Sequence, residues 1–582
     1  MTKRTEAEAR SSGSSDAYRQ AMNLKVVFRV LRRISLWSLD YYSDVYVAGH
    51  THIPKTGPLV VTPCHHNEII DIATISVTMP HRRPVCFWAK SSMFKNPIMG
   101  WVMSSSGAIP VRRNPNSVAS ETGNSGQTDD KANETRMMLF RETFQAMEIG
   151  EVIGLFPEGT SYTEPQIPHI KDGASWAALE YARWQKGKSL KAEDMNLTIV
   201  PVGIVYTDKA RYQSRVSVTF GEPIDISFYA QRYLSAPDND SARAIIKDVT
   251  AELDKRLRKL TINAPDWDTW FAASIARDIS WNGSDNVPIS TWVDVSQTFI
   301  DLFSSPEMAQ TTPDNIDHHK KALVNYYGLL HHSGITHGTL ASIYPHSAMP
   351  NAFMAVFTFI RQLLVLVLHP RLWFFLPPFL LHIPAYITGT LAARYLVKPG
   401  EDETVAELTL VPGGLAFGLT TYIVSAKFAN MLFDGRISTA WMPSVLTKAG
   451  EWFMESVPSM FGVRRVLSTF AIMYWTTWFM FRWHALLIKG NYTQFQRTVV
   501  SWKVLLGVFS HSVPEGKLDK YLYPNLPVVN PFVKRRSPEN TPAVPPVETK
   551  RCRVRSPWSW TLIRPLFAAR AAAEKSVGEL CH

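Results

Sequence analysis

Short apolar runs separated by amphipathic stretches mark the first part of the chain. Leu59-Val-Val-Thr-Pro63, Pro84-Val-Cys-Phe-Trp-Ala89, Val152-Ile-Gly-Leu-Phe156 and Thr198-Ile-Val-Pro-Val-Gly-Ile-Val205 are rich in β-branched residues and too short for helices. They read as strands, and Val216 to Pro223 adds one more with a turn. Between them Thr135–Ile149, Ala174–Gln185 and Ala242–Leu260 repeat their apolar positions at helical spacing. Strands alternating with helices predict an α/β fold, a mixed sheet flanked by helices. Active residues are then expected at strand ends, on the loops leading into helices.

The pattern changes after residue 350. Phe353–Leu368 and Leu372–Leu391 flank His369-Pro370-Arg371 and read as a tight helical hairpin, with Pro377-Pro378 expected to break the second arm. Leu408–Phe433 and Val466–Ile488 are further apolar segments. Spanning a bilayer takes about 20 mostly apolar residues in a helix, so this part predicts a helical membrane region. Arg361, Lys427 and Arg482 interrupt it and must snorkel or face a partner. The expected organisation is a disordered N-terminus (1–23), an amphipathic interface helix and lead-in (24–55), an α/β domain (56–260), a helical connector (261–350), membrane helices (351–490) and a basic, Pro-rich, largely disordered tail (491–582). In the interface helix, Lys25, Arg29, Arg32 and Arg33 share one face and Leu24, Val27, Phe28, Leu31 and Ile34 another.

With 582 residues, the chain is too long for one core, in line with that division. Its net charge of +11 suits an anionic surface, and the long apolar segments favour lipid over nucleic acid. The tail is Pro-rich and lacks aromatics interleaved with its cations, which argues against a nucleic-acid platform. Four cysteines show neither zinc spacing nor a disulfide framework, and the histidines at 318, 319, 331, 332 and 337 match no familiar ligand set, so no metal is expected. The polar start of the chain lacks a signal-peptide core, which places the N-terminal part in the cytosol. Lys534-Arg535-Arg536 and Lys550-Arg551 favour a cytosolic tail, with Ser537 and Ser556 before proline as candidate phosphorylation sites.

The chemistry concentrates in four blocks. Pro63-Cys-His-His-Asn-Glu-Ile-Ile-Asp71 sets His66 five positions before Asp71, a base with a carboxylate to fix its tautomer. Gly107-Ala-Ile-Pro-Val-Arg-Arg113 ends in two guanidinium groups suited to phosphate. Phe156-Pro-Glu-Gly-Thr160 carries a carboxylate beside a glycine, and Lys171 stands just before the next helix. Ile199-Val-Pro-Val-Gly203 is the fourth.

In this order the blocks resemble the glycerolipid (PlsC-like) acyltransferase family, over about Gly57 to Ile226. The length, the polar stretch Asn114 to Asn133 and the hydrophobic C-terminal region look most like fungal-type glycerol-3-phosphate or dihydroxyacetone-phosphate acyltransferases. The resemblance implies His66 as general base and Asp71 as its orienting carboxylate. It also implies an acceptor pocket of Arg112, Arg113, Glu158, Gly159, Thr160 and Lys171, and an acyl-donor wall at Pro201 and Gly203. No cofactor is implied: acyl-CoA is a co-substrate, and the acceptor is glycerol 3-phosphate or dihydroxyacetone phosphate, with lysophosphatidate as the alternative. A lipid-binding scaffold that lost turnover is a further alternative, disfavoured by the intact His66, Asp71, Glu158 and Gly159. The expected setting is the cytosolic face of the endoplasmic reticulum membrane.

Overall fold

The computed structural model describes residues 26–111, 140–187, 197–304, 313–398, 402–434, 463–528 and 554–580, with isolated positions between them. Arg112, Arg113, the polar stretch from Asn114 to Asn133 and both basic tail clusters lie outside the described residues. The chain forms two compact units: one holds Met1–Arg277, Ser284–Lys321 and Pro527–Cys552, and the other Asp278–Gly283, Ala322–Leu526 and Arg553–His582.

Among its described residues the first unit has eight strands: β1 (Ser43–Ala48), β2 (Leu59–Pro63), β3 (Val85–Lys90), β4 (Ile109–Val111), β5 (Val152–Gly154), β6 (Thr198–Tyr206), β7 (Ser214–Phe220) and β8 (Ile224–Asp225). Their order is β1-β7-β6-β2-β5-β3-β4, with β8 beside β6. The pairs from β6 through β2, β5 and β3 to β4 are parallel, β7 and β8 run antiparallel to β6, and β1 is parallel to β7. Central strands of a parallel sheet are covered on both faces, which is why β2 is buried along its whole length and reads as an unbroken apolar run. The four strands read from the apolar runs are all present. Sequence reading missed β1, which lay in the supposed lead-in, and the short β4 and β8.

Helix α1 covers residues 26–42 and buries Phe28, Leu39 and Tyr42, while Arg32 donates to the carbonyls of Ser76 and Val77 at 2.8 Å each. It packs on α2 (Glu68–Thr78) through a residue expected to face lipid headgroups. Helix α3 (Gly173–Lys186) presents Ala174, Ala177, Ala178 and Ala182 to the core, small side chains that let helix and sheet approach closely. Helix α4 (Asn239–Lys259) buries Ile245, Ile246, Val249, Leu253 and Leu257 at helical spacing and is capped by Asp238, whose carboxylate accepts from the Ser241 amide at 2.6 Å. Of the expected helix 135–149, residues 140–148 are helical and the rest of its start is outside the described residues.

The second unit is helical. Its long elements are α5 (Ala352–Leu368), α6 (Pro370–Leu396), α7 (Val405–Phe433) and α8 (Val463–Phe509). Among the described residues two helices, Pro370–Leu396 and Val405–Met431, are long and apolar enough to cross a membrane; α5 is apolar but shorter. The expected break at Pro377-Pro378 does not occur, and α6 runs through Pro377, Pro378 and Pro384. Helix–helix packing keeps it continuous, and the His382 ring donates to the Pro378 carbonyl at 2.6 Å. The tail also differs from expectation. Residues up to 509 continue α8, and α9 (Ile563–Leu580) is a packed helix that buries Leu566, Phe567 and Arg570. Arg570 donates to the Tyr344 carbonyl and pairs with Glu574, both at 2.6 Å. Composition had hidden this helix behind the Pro-rich stretch before it.

Gly203 and Pro201 lie inside β6 with both faces covered. A Cβ on Gly203 would run into the carbonyl of Leu260, and the Pro201 carbonyl accepts from the Gly221 amide at 2.8 Å. Close approach of two backbones accounts for this block, so the acyl-donor wall expected from Pro201 and Gly203 is replaced by a packing role. Gly203→Ala should cost roughly 1–3 kcal/mol, as overpacking typically does. It should lower Tm in a melting experiment, and an unchanged Tm would restore the block to the site.

Candidate active site

β2, β5 and β6 are neighbours, and β2 runs parallel to both, so the loops leaving their carboxyl ends converge. The loop after β2 carries His65 and His66 and runs into α2, the loop after β5 carries Phe156 to Thr160, and the end of β6 supplies Tyr206 with Lys209 just beyond.

Asp71 is fully buried in the first turn of α2. Its Oδ2 accepts from His65 Nδ1 at 2.9 Å and from the Asn67 amide at 2.7 Å, and its Oδ1 accepts from the Tyr206 hydroxyl at 2.6 Å. The histidine expected to pair with Asp71 was His66. The structure gives that place to its neighbour. Between Pro63 and the start of α2 the chain is not yet helical, and adjacent residues there point to different sides. His66 turns away to lie 4.8 Å, ring centre to ring centre, from Tyr162. Burial lowers it to about 4 against the pull of Asp71, so it is neutral at pH 7.

His65 is 14% exposed and stacks on Phe156 at 3.9 Å. With Nδ1–H committed to Asp71, Nε2 carries the lone pair, the form a general base needs. Its backbone amide donates to Glu158 Oε1 at 3.3 Å. Glu158 is buried, and burial pushes its carboxyl up to about 8; the His65 amide and nearby Lys171 oppose that rise. Glu158 Oε2 has no hydrogen-bond partner among the described residues, which leaves it for an incoming hydroxyl or phosphate oxygen.

Gly159 has φ 74°, and the Lys171 side chain lies where a Cβ would project, so the glycine admits that cation to the site. The Lys171 amide also donates to the Pro157 carbonyl at 2.8 Å. Thr160 is half-buried on the same loop. The structure therefore brings together Asp71, Glu158, Gly159, Thr160 and Lys171, with His65 in place of His66. Arg112 and Arg113 fall outside the described residues, immediately after β4. Among the described residues, no group of three His, Cys, Asp or Glu lies close enough together to hold a metal ion.

Two contributors were missed in the sequence. Tyr206 is the second donor side chain on Asp71, and burial raises its hydroxyl far above the ordinary range, which keeps it a donor. Lys209 donates to the carbonyls of His66 and Tyr162 at 3.2 and 3.3 Å and to Thr163 Oγ1 at 2.5 Å, tying the two site loops together. Neither carries a motif signal of its own; only the end of an apolar strand at Tyr206 pointed there.

Residues 44–205 match the family model described as Acyltransferase, so the chain carries an acyltransferase domain, the family its motifs resemble. Among curated proteins, glycerol-3-phosphate O-acyltransferase 2 of Saccharomyces cerevisiae is 26% identical over 162 residues, 28% of this chain and 20% of the yeast protein. Glycerol-3-phosphate O-acyltransferase 1 of the same yeast is 25% identical over 199 residues, 33% of this chain and 25% of that protein. The matches thus span no more than a quarter of the length of these yeast relatives. A chloroplastic 1-acyl-sn-glycerol-3-phosphate acyltransferase of Arabidopsis thaliana is 24% identical over 149 residues, 25% of this chain and 36% of the plant protein. The crystal structure of the 1-acyl-sn-glycerophosphate acyltransferase PlsC from Thermotoga maritima superposes with a TM-score of 0.26 at 18% identity, covering 40% of this chain and 78% of that one.

The raised Glu158 makes a prediction about stability. A carboxyl shifted upward in the folded chain stabilises it while protonated; that contribution is whole below the ordinary value of 4.5 and is lost as pH rises through about 8. His66, shifted downward, acts oppositely: its contribution is present above 6.5 and is lost as pH falls toward 4. Glu158→Gln keeps the shape and cannot ionise, so the fall in Tm on the alkaline side should flatten relative to the parent chain. The same slope in both proteins would mean that Glu158 ionises without penalty.

Proposed function

We propose that this chain is a membrane-bound, acyl-CoA-dependent O-acyltransferase that acylates the sn-1 hydroxyl of glycerol 3-phosphate or of dihydroxyacetone phosphate, in the latter the corresponding hydroxyl. The observation that carries the reading is the His65–Asp71 pair at the carboxyl end of β2, flanked by Glu158 and Lys171. His65 Nε2 takes the proton of the acceptor hydroxyl as its oxygen bonds to the thioester carbonyl carbon. Collapse of the tetrahedral intermediate breaks the carbon–sulfur bond, and the proton passes from His65 to the departing thiolate, giving free coenzyme A and the ester. A thiolate leaves readily, so no covalent enzyme intermediate is needed. Lys171 supplies charge to the acceptor phosphate, and Arg112 or Arg113 is a further phosphate partner supported by the motif. The protonated Glu158 carboxyl donates to an acceptor oxygen.

Two helices among the described residues that are long and apolar enough to cross a membrane support a membrane setting. The endoplasmic reticulum, with the first unit facing the cytosol, fits water-soluble substrates and a product that enters the bilayer. The Arabidopsis relative's name favours a second acceptor, a 1-acyl-glycerol 3-phosphate. A panel of the three acceptors on isolated membranes with one acyl-CoA separates them; turnover of lysophosphatidate alone would replace the first reading with the second.

The pairing also sets the mutational order. His65→Ala should lower kcat by roughly 10²–10⁴-fold, the usual worth of general-base assistance. His66→Ala should retain most of the turnover, with the loss confined to stability. The reverse order in a radiolabelled acyl-transfer assay would return the base to His66.

A further inference from the structure

The chain returns to the first unit at Pro527, after the helices of the second. Composition predicts disorder here, yet two residues of this stretch are tied to the first unit. Val533 is buried and belongs to the same apolar core as Tyr162, Ile167 and Ile170. Asn530 donates from Nδ2 to the Ser161 carbonyl at 3.0 Å, a partner 369 positions away in sequence. The Val533 amide in turn donates to the Asn530 carbonyl at 3.2 Å, a bond of the kind that closes a four-residue turn. Asn followed by Pro is a sequence such turns favour. A side chain held in the core thus sets the backbone from which Asn530 reaches out.

The carbonyl that Asn530 chooses matters for the site. The Ser161 carbonyl and the Tyr162 amide are the two polar ends of one planar peptide group. At the other end of that group, the Tyr162 amide donates to the carbonyl of His65 at 3.1 Å. Asn530 and the general base therefore hold opposite edges of a single rigid plane, and a rotation at one edge is felt at the other. Hydrogen bonds at the two ends of a peptide group also polarise and strengthen each other.

The loop needs such support. Between β5 and α3 the described chain has neither helix nor strand, so its buried backbone groups must find partners on other segments. Ser161 and Tyr162 are both buried. Lys209 serves the Tyr162 carbonyl, and Asn530 serves that of Ser161. Glu158, Gly159 and Thr160 come directly before this peptide, so its orientation sets the end of the stretch that faces the acceptor.

We propose that Asn530 is a positioning residue of the acyl-transfer site: its side-chain amide holds the Ser161–Tyr162 peptide against His65 and so sets Glu158 and Thr160 for the acceptor. The part of this inference that concerns kinetics rests on the proposed function; the part that concerns the loop does not.

The test compares the full chain in detergent with Asn530→Ala and with Asn530→Asp, which keeps the shape but has no N–H to donate. In acyl transfer, with whichever of the three acceptors the parent turns over, both variants should raise the KM for the acceptor roughly 3–10-fold, the worth of one hydrogen bond. The KM for acyl-CoA should stay as it is. In hydrogen exchange read by mass spectrometry, the peptide spanning 156–163 should exchange roughly threefold or more faster, while β2 and β6 keep their protection. Should Asn530→Ala fail to fold, the isosteric Asn530→Asp gives the same reading. An unchanged acceptor KM with unchanged exchange would overturn the proposal, as would Asn530→Asp behaving like the parent. A rise in both KM values, or faster exchange throughout the first unit, would make Asn530 a general stabilising contact and overturn it equally. A parent that acylates none of the three acceptors would sink the proposed function instead, and the exchange result would then decide by itself whether Asn530 holds the loop.

Discussion

Asp71 is an anion with no exposed surface, and the geometry of the site follows from the groups that hold it there. Taking a carboxylate out of water costs several kcal/mol unless donors replace the lost hydration. Three donors do so: the His65 ring, the Asn67 amide and the Tyr206 hydroxyl. Each comes from a different part of the fold: the loop after β2, the start of α2 and the end of β6. Satisfying one buried charge therefore fixes the relative placement of two strands and a helix, and at the same time fixes which nitrogen of His65 carries the proton.

The second constraint lies in the loop itself. The backbone amide of His65 is held by Glu158, and the carbonyl of His66 is held by Lys209. Lys209 also holds the carbonyl of Tyr162, whose amide donates back to the carbonyl of His65 at 3.1 Å. The loops after β2 and β5 are thus laced together through backbone groups, with an aromatic stack of His65 on Phe156 above the lacing. This is preorganisation of a base by groups that touch no substrate.

The α/β alternation was readable because central parallel strands must be apolar throughout, as β2 and β6 are. β1 was not: Ser43-Asp-Val-Tyr-Val-Ala48 alternates and is only partly buried at the sheet edge, so it carried a weaker signal. The motif blocks located the site, yet spacing alone chose the wrong one of two adjacent histidines. A five-residue offset describes sequence, whereas facing a carboxylate depends on where extended chain becomes helix, and α2 begins only at Glu68. Tyr206 was invisible for a related reason, since its partner lies 135 positions away and meets it only through the β2–β6 pairing. Gly203 misled in the opposite direction: it sits in a motif block, but its lack of a side chain serves the Leu260 backbone.

The doublet His65-His66 then makes physical sense as a division of labour. Two imidazoles able to take a proton beside one carboxylate would compete, and a proton resting on the wrong ring would leave the base unable to act on a substrate. Burial removes that competition. It holds His66 neutral down to about pH 4, and the positive charge of Lys209 adds to the effect while the same ammonium pins the backbone of His66. The role of base is thereby left to His65, the ring that is bonded to Asp71 and whose amide is held by Glu158. The neighbour that spacing put forward as the base serves the site by staying uncharged.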